Sequence, residues 1–142
     1  MNGIYHTNGD YYTEDDEIAV GTLVGKTFKR VFVEDDDYDI VMLFQNDEET
    51  YVFLHDQNCC ERVRVNDITG TLSDLENTPI LMAEDVTNKT ELPPDPEDTE
   101  SFTWTFYRFA TSKGFVVVRW LGESNGCYSE KVSFVKLDSK ND

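Results

Sequence analysis

Two runs, Trp104-Thr-Phe-Tyr-Arg-Phe109 and Gly114-Phe-Val-Val-Val-Arg-Trp120, set within Ser101 to Phe134, decide how this chain folds. Phe102, Trp104 and Phe106 alternate with Thr103, Thr105 and Tyr107, the period-two pattern of a half-buried strand. Phe115 to Trp120 is almost wholly β-branched or aromatic and reads as a strand covered on both faces. Thr111-Ser-Lys-Gly114 between them is a short turn whose glycine tolerates positive φ, so the pair forms a hairpin.

The rest reads as sheet added to that hairpin. From Thr27, Phe28, Arg30 and Phe32 alternate with Lys29, Val31 and Val33; Ile40 to Phe44 and Tyr51 to Leu54 follow, separated by acidic turns. Glu61-Arg-Val-Arg-Val65 places Val63 and Val65 on one side and Arg62 and Arg64 on the other, with Ile68-Thr-Gly70 closing the strand. Leu72 to Leu75 is one helical turn, Pro79 to Val86 a further strand, and Lys131 to Leu137 the last. Ile18 to Val24 is a weak apolar segment, and Gly122-Glu-Ser-Asn-Gly126 reads as a turn. The expectation is a mostly β fold, all-β or α+β with one short helix: an antiparallel meander of seven to eight strands closing as a sandwich or half-barrel. A single domain spans 1–142, with 1–17 an acidic arm or edge strand and 91–100 a Pro- and acid-rich surface loop.

Charge is the dominant compositional fact. The 29 Asp and Glu outnumber the 12 Lys and Arg, for a net charge of −17. Such a surface repels nucleic acid and anionic membranes and favours a partner with a basic groove. No apolar run approaches the roughly 20 residues that cross a bilayer, and the first residues lack the basic and apolar regions of a signal peptide. Three cysteines, two of them adjacent, read as reduced thiols in a cytoplasm.

Cys59-Cys-Glu-Arg-Val63, Pro79-Ile-Leu-Met-Ala-Glu-Asp-Val86, Trp104-Thr-Phe-Tyr107, Arg119-Trp-Leu-Gly-Glu-Ser-Asn-Gly126 and Tyr128-Ser-Glu130 occur in that order. In this pattern the chain resembles an uncharacterised family of small phage and prophage proteins, over roughly Val52 to Phe134. The family has no known activity, so no residue inherits a role. The resemblance implies a phage-encoded accessory protein acting in the cytoplasm of a bacterial host.

Gly122-Glu-Ser124-Asn-Gly126 matches the string of a hydrolase nucleophile elbow, which needs a following helix and a later histidine. A strand follows, and His6 and His55 both precede the serine, so the glycines are read as turn residues and no catalytic residue is assigned. His55 and Cys59 have workable spacing for zinc, but adjacent cysteines on an extended chain point apart. No metal ligand set and no cofactor is therefore expected. Asp35, Asp36, Asp37 and Asp39 lack the glycine and distal glutamate of a calcium loop. Arg62, Arg64 and Arg119 would outline an anion pocket beside Tyr107 or Trp120 if they shared a face.

The leading expectation is a non-catalytic inhibitor, not an enzyme. It presents acid to the basic surface of a host protein, such as a defence nuclease or another nucleic-acid-binding protein, and imitates the phosphates of a duplex. Its contact residues would be Glu14, Asp15, Asp16, Glu17, Glu34, Asp35, Asp36, Asp37, Asp39, Asp47, Glu48 and Glu49. It would not itself touch nucleic acid or membrane, and it would act as a monomer or homodimer, since apolar edge strands can pair between copies. A small-molecule module that sequesters a nucleotide signal at the arginines is the alternative, and a metal-binding protein using His55 and Cys59 the second.

Overall fold

In a computed structural model of the chain, residues 17–35, 40–55, 60–89, 92–94 and 96–137 are described. Among the described residues, eight strands form two antiparallel four-stranded sheets. They are β1 (Arg30–Asp35), β2 (Ile40–Gln45), β3 (Thr50–Leu54), β4 (Arg62–Thr69), β5 (Met82–Asn88), β6 (Ser101–Ala110), β7 (Phe115–Ser124) and β8 (Ser133–Leu137). The first sheet has the order β1-β2-β3-β8 and the second β4-β7-β6-β5. The expected hairpin is the centre of the second sheet, in a register running from Ser101↔Ser124 to Ala110↔Phe115. The chain is mostly β and antiparallel, as the alternation requires, and of the two closures expected it adopts the sandwich.

The sheets meet through aromatic rings. Phe53 of β3 stacks on Phe134 of β8 at 4.3 Å between centroids and tilts against Tyr107 of the opposite sheet at 4.6 Å. Phe44 meets Phe109 across the same gap at 5.1 Å. Val116, Val118 and Trp120 alternate inward from β7 and complete this core with Val31, Met42 and Tyr51. On β6 the inward set is Thr103, Thr105, Tyr107 and Phe109, whereas Phe102, Trp104 and Phe106 lie on the outer face. The exposed edge of β5 carries Glu84, Asp85 and Thr87 toward solvent, a charged border that resists strand addition.

Three departures from the expected layout have local causes. The helical turn Leu72–Leu75 is a 3-10 turn, and two more such turns occur at Val20–Leu23 and Pro96–Asp98. The first exists because Val20 and Leu23, three apart, both bury into the core. Gly122 is not a turn residue: β7 continues through it to Ser124, and the reversal follows at Gly126, φ +94°. A Cβ at Gly122 would lie 2.6 Å from the carbonyl oxygen of Glu130, so a bare backbone is needed for that segment to close over the strand. A bulge between Val65 and Asp67 turns Ile68 back toward the core beyond it.

Phe53 touches both sheets and is fully buried. Phe53→Ala is expected to cost about 3–5 kcal/mol in urea unfolding, the penalty of a large cavity that neighbouring rings cannot fill.

Candidate functional site

Strand direction sorts the connections. Asp35, Leu54, Asn88 and Ser124, the last residues of β1, β3, β5 and β7, lie at one end of the sandwich, and the even strands finish at the other. His55 ties the near end together: Nδ1 lies 2.7 Å from the Lys131 carbonyl before β8, and Nε2 2.7 Å from Glu61 Oε2 before β4. The connection from β1 to β2 contains Asp36, Asp37 and Asp39, and that from β5 to β6 contains Glu91, Asp95, Glu97, Asp98 and Glu100. Their strand ends therefore all belong to this end. Glu34, Asp35, Glu97 and Glu100 are exposed there.

The far end also carries acid, but it is matched by lysine. Asp47 pairs with Lys29 at 2.9 Å, and Glu49 is shared by Lys26 at 3.3 Å and Lys136 at 3.4 Å. Burial pushes the Glu49 carboxyl up, but hydrogen bonds from Tyr51, Lys26 and Lys136 outweigh it and hold the group below its ordinary range. The hydrogen bond with Tyr51 is the main reason that the Lys26 ammonium is shifted up. Asn46 caps the turn by accepting from the Glu48 and Glu49 amides. Of the expected contact residues, Glu48 is exposed, whereas Glu17 is held by Lys131 at 3.0 Å and by the Ser133 hydroxyl. Glu14, Asp15, Asp16, Asp36, Asp37 and Asp39 lie outside the described residues. Among the acids of these connections, Asp47 and Glu49 at the far end pair with lysines, whereas Glu34, Asp35, Glu97 and Glu100 are exposed at the near end.

Two polar arrangements, one buried and one half-buried, brace the near end, and sequence reasoning identified neither. The Lys131 carbonyl can only accept, so His55 Nδ1 carries a proton. Nε2 and the Glu61 carboxyl, buried together, must then share a second one. Glu130 accepts from the Thr103 hydroxyl at 2.7 Å and the Ser124 hydroxyl at 2.6 Å. Burial raises its pKa, but hydrogen bonds from Ser101, Ser124 and Thr103 outweigh that and lower it overall. Ser124, the serine of the elbow-like string, also accepts from the Gly126 amide. The available signal was the run of hydroxyls on the inward side of β6, where a sandwich ordinarily buries carbon.

The arginines are brought together in part. Register places Arg62 opposite Glu123, Arg64 opposite Leu121 and Arg119 opposite Asp67, so all three share the outer face of the second sheet. Arg62 and Arg64 line a cleft of about 520 Å³ with Pro94, Thr99 and Glu123, and Arg64 is bonded to Glu123 at 2.8 Å. Arg119 instead donates to Asn66 and lies 4.8 Å over the Trp104 ring. Tyr107 and Trp120 are not on that face. Both point into the core, where burial strongly raises the Tyr107 pKa, helped by the charges of Asp85 and Glu17.

Both ring nitrogens of His55 are engaged by protein oxygens, and Cys59 lies outside the described residues. No group of three potential ligands is arranged for a metal ion among the described residues. Cys60 is disulfide-bonded, which corrects the expectation of reduced thiols; an odd cysteine count excludes a complete framework but not one bridge. Cys127 is free and exposed. No described helix is long and apolar enough to cross a membrane.

A family model for a domain of unknown function, DUF7448, matches residues 21–134. The chain belongs to that family. The match reaches well beyond the Val52–Phe134 stretch of the sequence resemblance and takes in β1, β2 and the Val20–Leu23 turn from its second residue. It leaves out the first twenty residues. No curated protein and no solved structure is detectably similar to the chain.

Removing one member of the buried pair strands the other. Glu61→Ala is expected to cost about 3–5 kcal/mol in urea unfolding, and a His55→Leu, Glu61→Leu double variant much less. Glu130 predicts a pH effect. A carboxyl whose folded pKa lies below its unfolded value stabilises the fold above the ordinary glutamate range, and the benefit disappears as pH falls through the lowered value. Glu130→Gln should therefore be less stable than the parent at neutral pH, with the gap closing in acid. Thermal unfolding across pH checks this.

Proposed function

We propose that the protein is a non-catalytic, acidic interaction protein that docks its near end on the basic surface of a nucleic-acid-binding protein and blocks it. The observation that supports this reading is the sorting of acid by strand direction. The acid-rich β1–β2 and β5–β6 connections belong to the same end, whereas Asp47 and Glu49 at the far end are paired with Lys26, Lys29 and Lys136. A rigid sandwich holds the strand ends that flank those connections at fixed separations, as a charge-complementary contact requires. The sequence resemblance to phage and prophage proteins makes a bacterial host protein, such as a defence nuclease, the partner class.

The cleft beside Arg62 and Arg64 supports a second reading, a module that holds a nucleotide-like anion, because these two arginines share a face and line one cavity. In that case Arg62→Ala would abolish ligand-induced thermal stabilisation, and neutralising the near-end acids would leave it intact.

Affinity capture from a bacterial lysate separates the two. On the acidic reading a nucleic-acid-binding protein is retained at low salt, and its affinity falls about tenfold or more between dilute buffer and half-molar salt, since exposed charges are screened within about 8 Å at physiological ionic strength. A complex indifferent to salt, or nucleotide released from the captured protein, overturns it.

A further inference from the structure

The inward side of β6 changes character along its length. From the far end it runs Phe109, Tyr107, Thr105, Thr103 and Ser101, so carbon gives way to hydroxyl where a sandwich ordinarily packs apolar side chains. Along that hydroxyl-rich half a cavity of about 500 Å³ opens between β6, the edge strand β5 and residues 126–132, which lead into β8. All of its lining residues are among the described ones. Thr103 at 8% exposure, Thr105 at 5% and Tyr107 at 3% are its most deeply buried hydroxyl-bearing residues. The Thr103 hydroxyl donates to Glu130, as does that of Ser124. The hydroxyls of Thr105 and Tyr107 have no hydrogen-bond partner among the described residues. A buried hydroxyl left unpaired is destabilising, so these two require an occupant that both donates and accepts.

We propose that this cavity binds a neutral polyhydroxylated ligand, a mono- or disaccharide. Its charges are balanced: the Glu130 and Asp85 carboxylates are matched in number by Lys89 and Lys131, and the Lys131 ammonium is already held by Glu17 at 3.0 Å. A phosphate-like anion would meet two carboxylates there, a cation would meet two ammonium groups, and an apolar molecule would leave the hydroxyls unpaired. A sugar avoids all three penalties. The two oxygens of Glu130 each accept one protein hydroxyl, and an ionised carboxylate accepts about four hydrogen bonds, so both oxygens can take a further donor. Adjacent sugar hydroxyls supply those donors, and others pair with Thr105 and Tyr107, whose hydroxyls donate or accept as needed. The half-buried Tyr128 ring in the cavity wall offers an apolar surface to the C–H face of a sugar ring. The volume lies within the range of about 300–1,000 Å³ ordinary for small-molecule sites. This inference is independent of the acidic docking reading and of the Arg62–Arg64 cleft, which lies on the outer face of the second sheet.

The test is made first on the intact chain, by titrating its amide NMR spectrum at millimolar concentration with glucose, galactose, N-acetylglucosamine, maltose, cellobiose and lactose in turn. At least one sugar is expected to shift the Thr103, Thr105, Tyr107 and Glu130 amides saturably. Thr105→Val and Tyr107→Phe, which remove a hydroxyl and keep the shape of the side chain, should each weaken that sugar about tenfold. Arg108→Ala, on the outer face of the same strand, should leave its affinity unchanged. The parent titration decides the matter even where a variant fails to fold: if no sugar of the panel shifts these amides, the proposal is overturned. Saturable shifts that survive both hydroxyl deletions at parental affinity overturn it as well. So does inorganic phosphate shifting the same amides where the sugars do not, since the occupant would then be an anion.

Discussion

The packing of Phe53 against Phe134 and Tyr107 is the contact on which the rest of the molecule depends. It joins a strand of one sheet to the central hairpin of the other, and Phe44 and Phe109 extend the same seam. Rings packed across the gap at 4.6–5.1 Å fix the distance between the sheets and resist sliding. Once the sheets are fixed, strict antiparallel pairing dictates where every connection emerges. The placement of surface charge is thus a consequence of core packing.

The core is not carbon throughout. Toward the near end the inward side of β6 changes from Phe109 and Tyr107 to Thr105 and Thr103, and the groups that meet them are Glu130 and, close by, the His55–Glu61 pair. Buried polar groups of this kind add little net stability compared with a well-packed apolar substitute, but breaking one leaves an unsatisfied partner. They fix the geometry of the segments they join. Lys131, whose carbonyl receives His55 and whose ammonium pairs with Glu17, connects the end of β3, the start of β8 and the first described residue of the chain. The end from which the acidic connections leave is therefore braced by directional bonds, where a purely apolar seam would allow slip.

Much of this was legible in the sequence. The central hairpin, the antiparallel mostly β fold and a count of seven to eight strands followed from period-two alternation and turn residues, because sheet faces select side chains locally. The assignment of Arg62 and Arg64 to one face also held, since it needed only strand periodicity. What failed depended on partners distant in sequence. Tyr107 and Trp120 were grouped with the arginines by proximity along the chain, yet alternation within β6 and β7 points them into the core. Gly122 looked like a turn because the close approach of Glu130 is a tertiary fact. The partners of His55, Glu61 and the Lys131 carbonyl, could not be placed beside it from spacing alone. The sorting of acids between ends was hidden for the same reason, since it required the pairing of strands β4 and β7 across 59 residues of chain.

The central claim is that acid works at one end of the sandwich and not at the other. It is tested most directly by comparing two neutralised variants of the intact chain for capture of the basic partner. One carries Glu34→Gln, Asp35→Asn, Glu97→Gln and Glu100→Gln at the near end, and the other Asp47→Asn and Glu48→Gln at the far end. The account predicts that the first variant loses the partner while the second retains it, with both folded to the parental Tm. Equal retention by the two, or loss confined to the far-end variant, would contradict it.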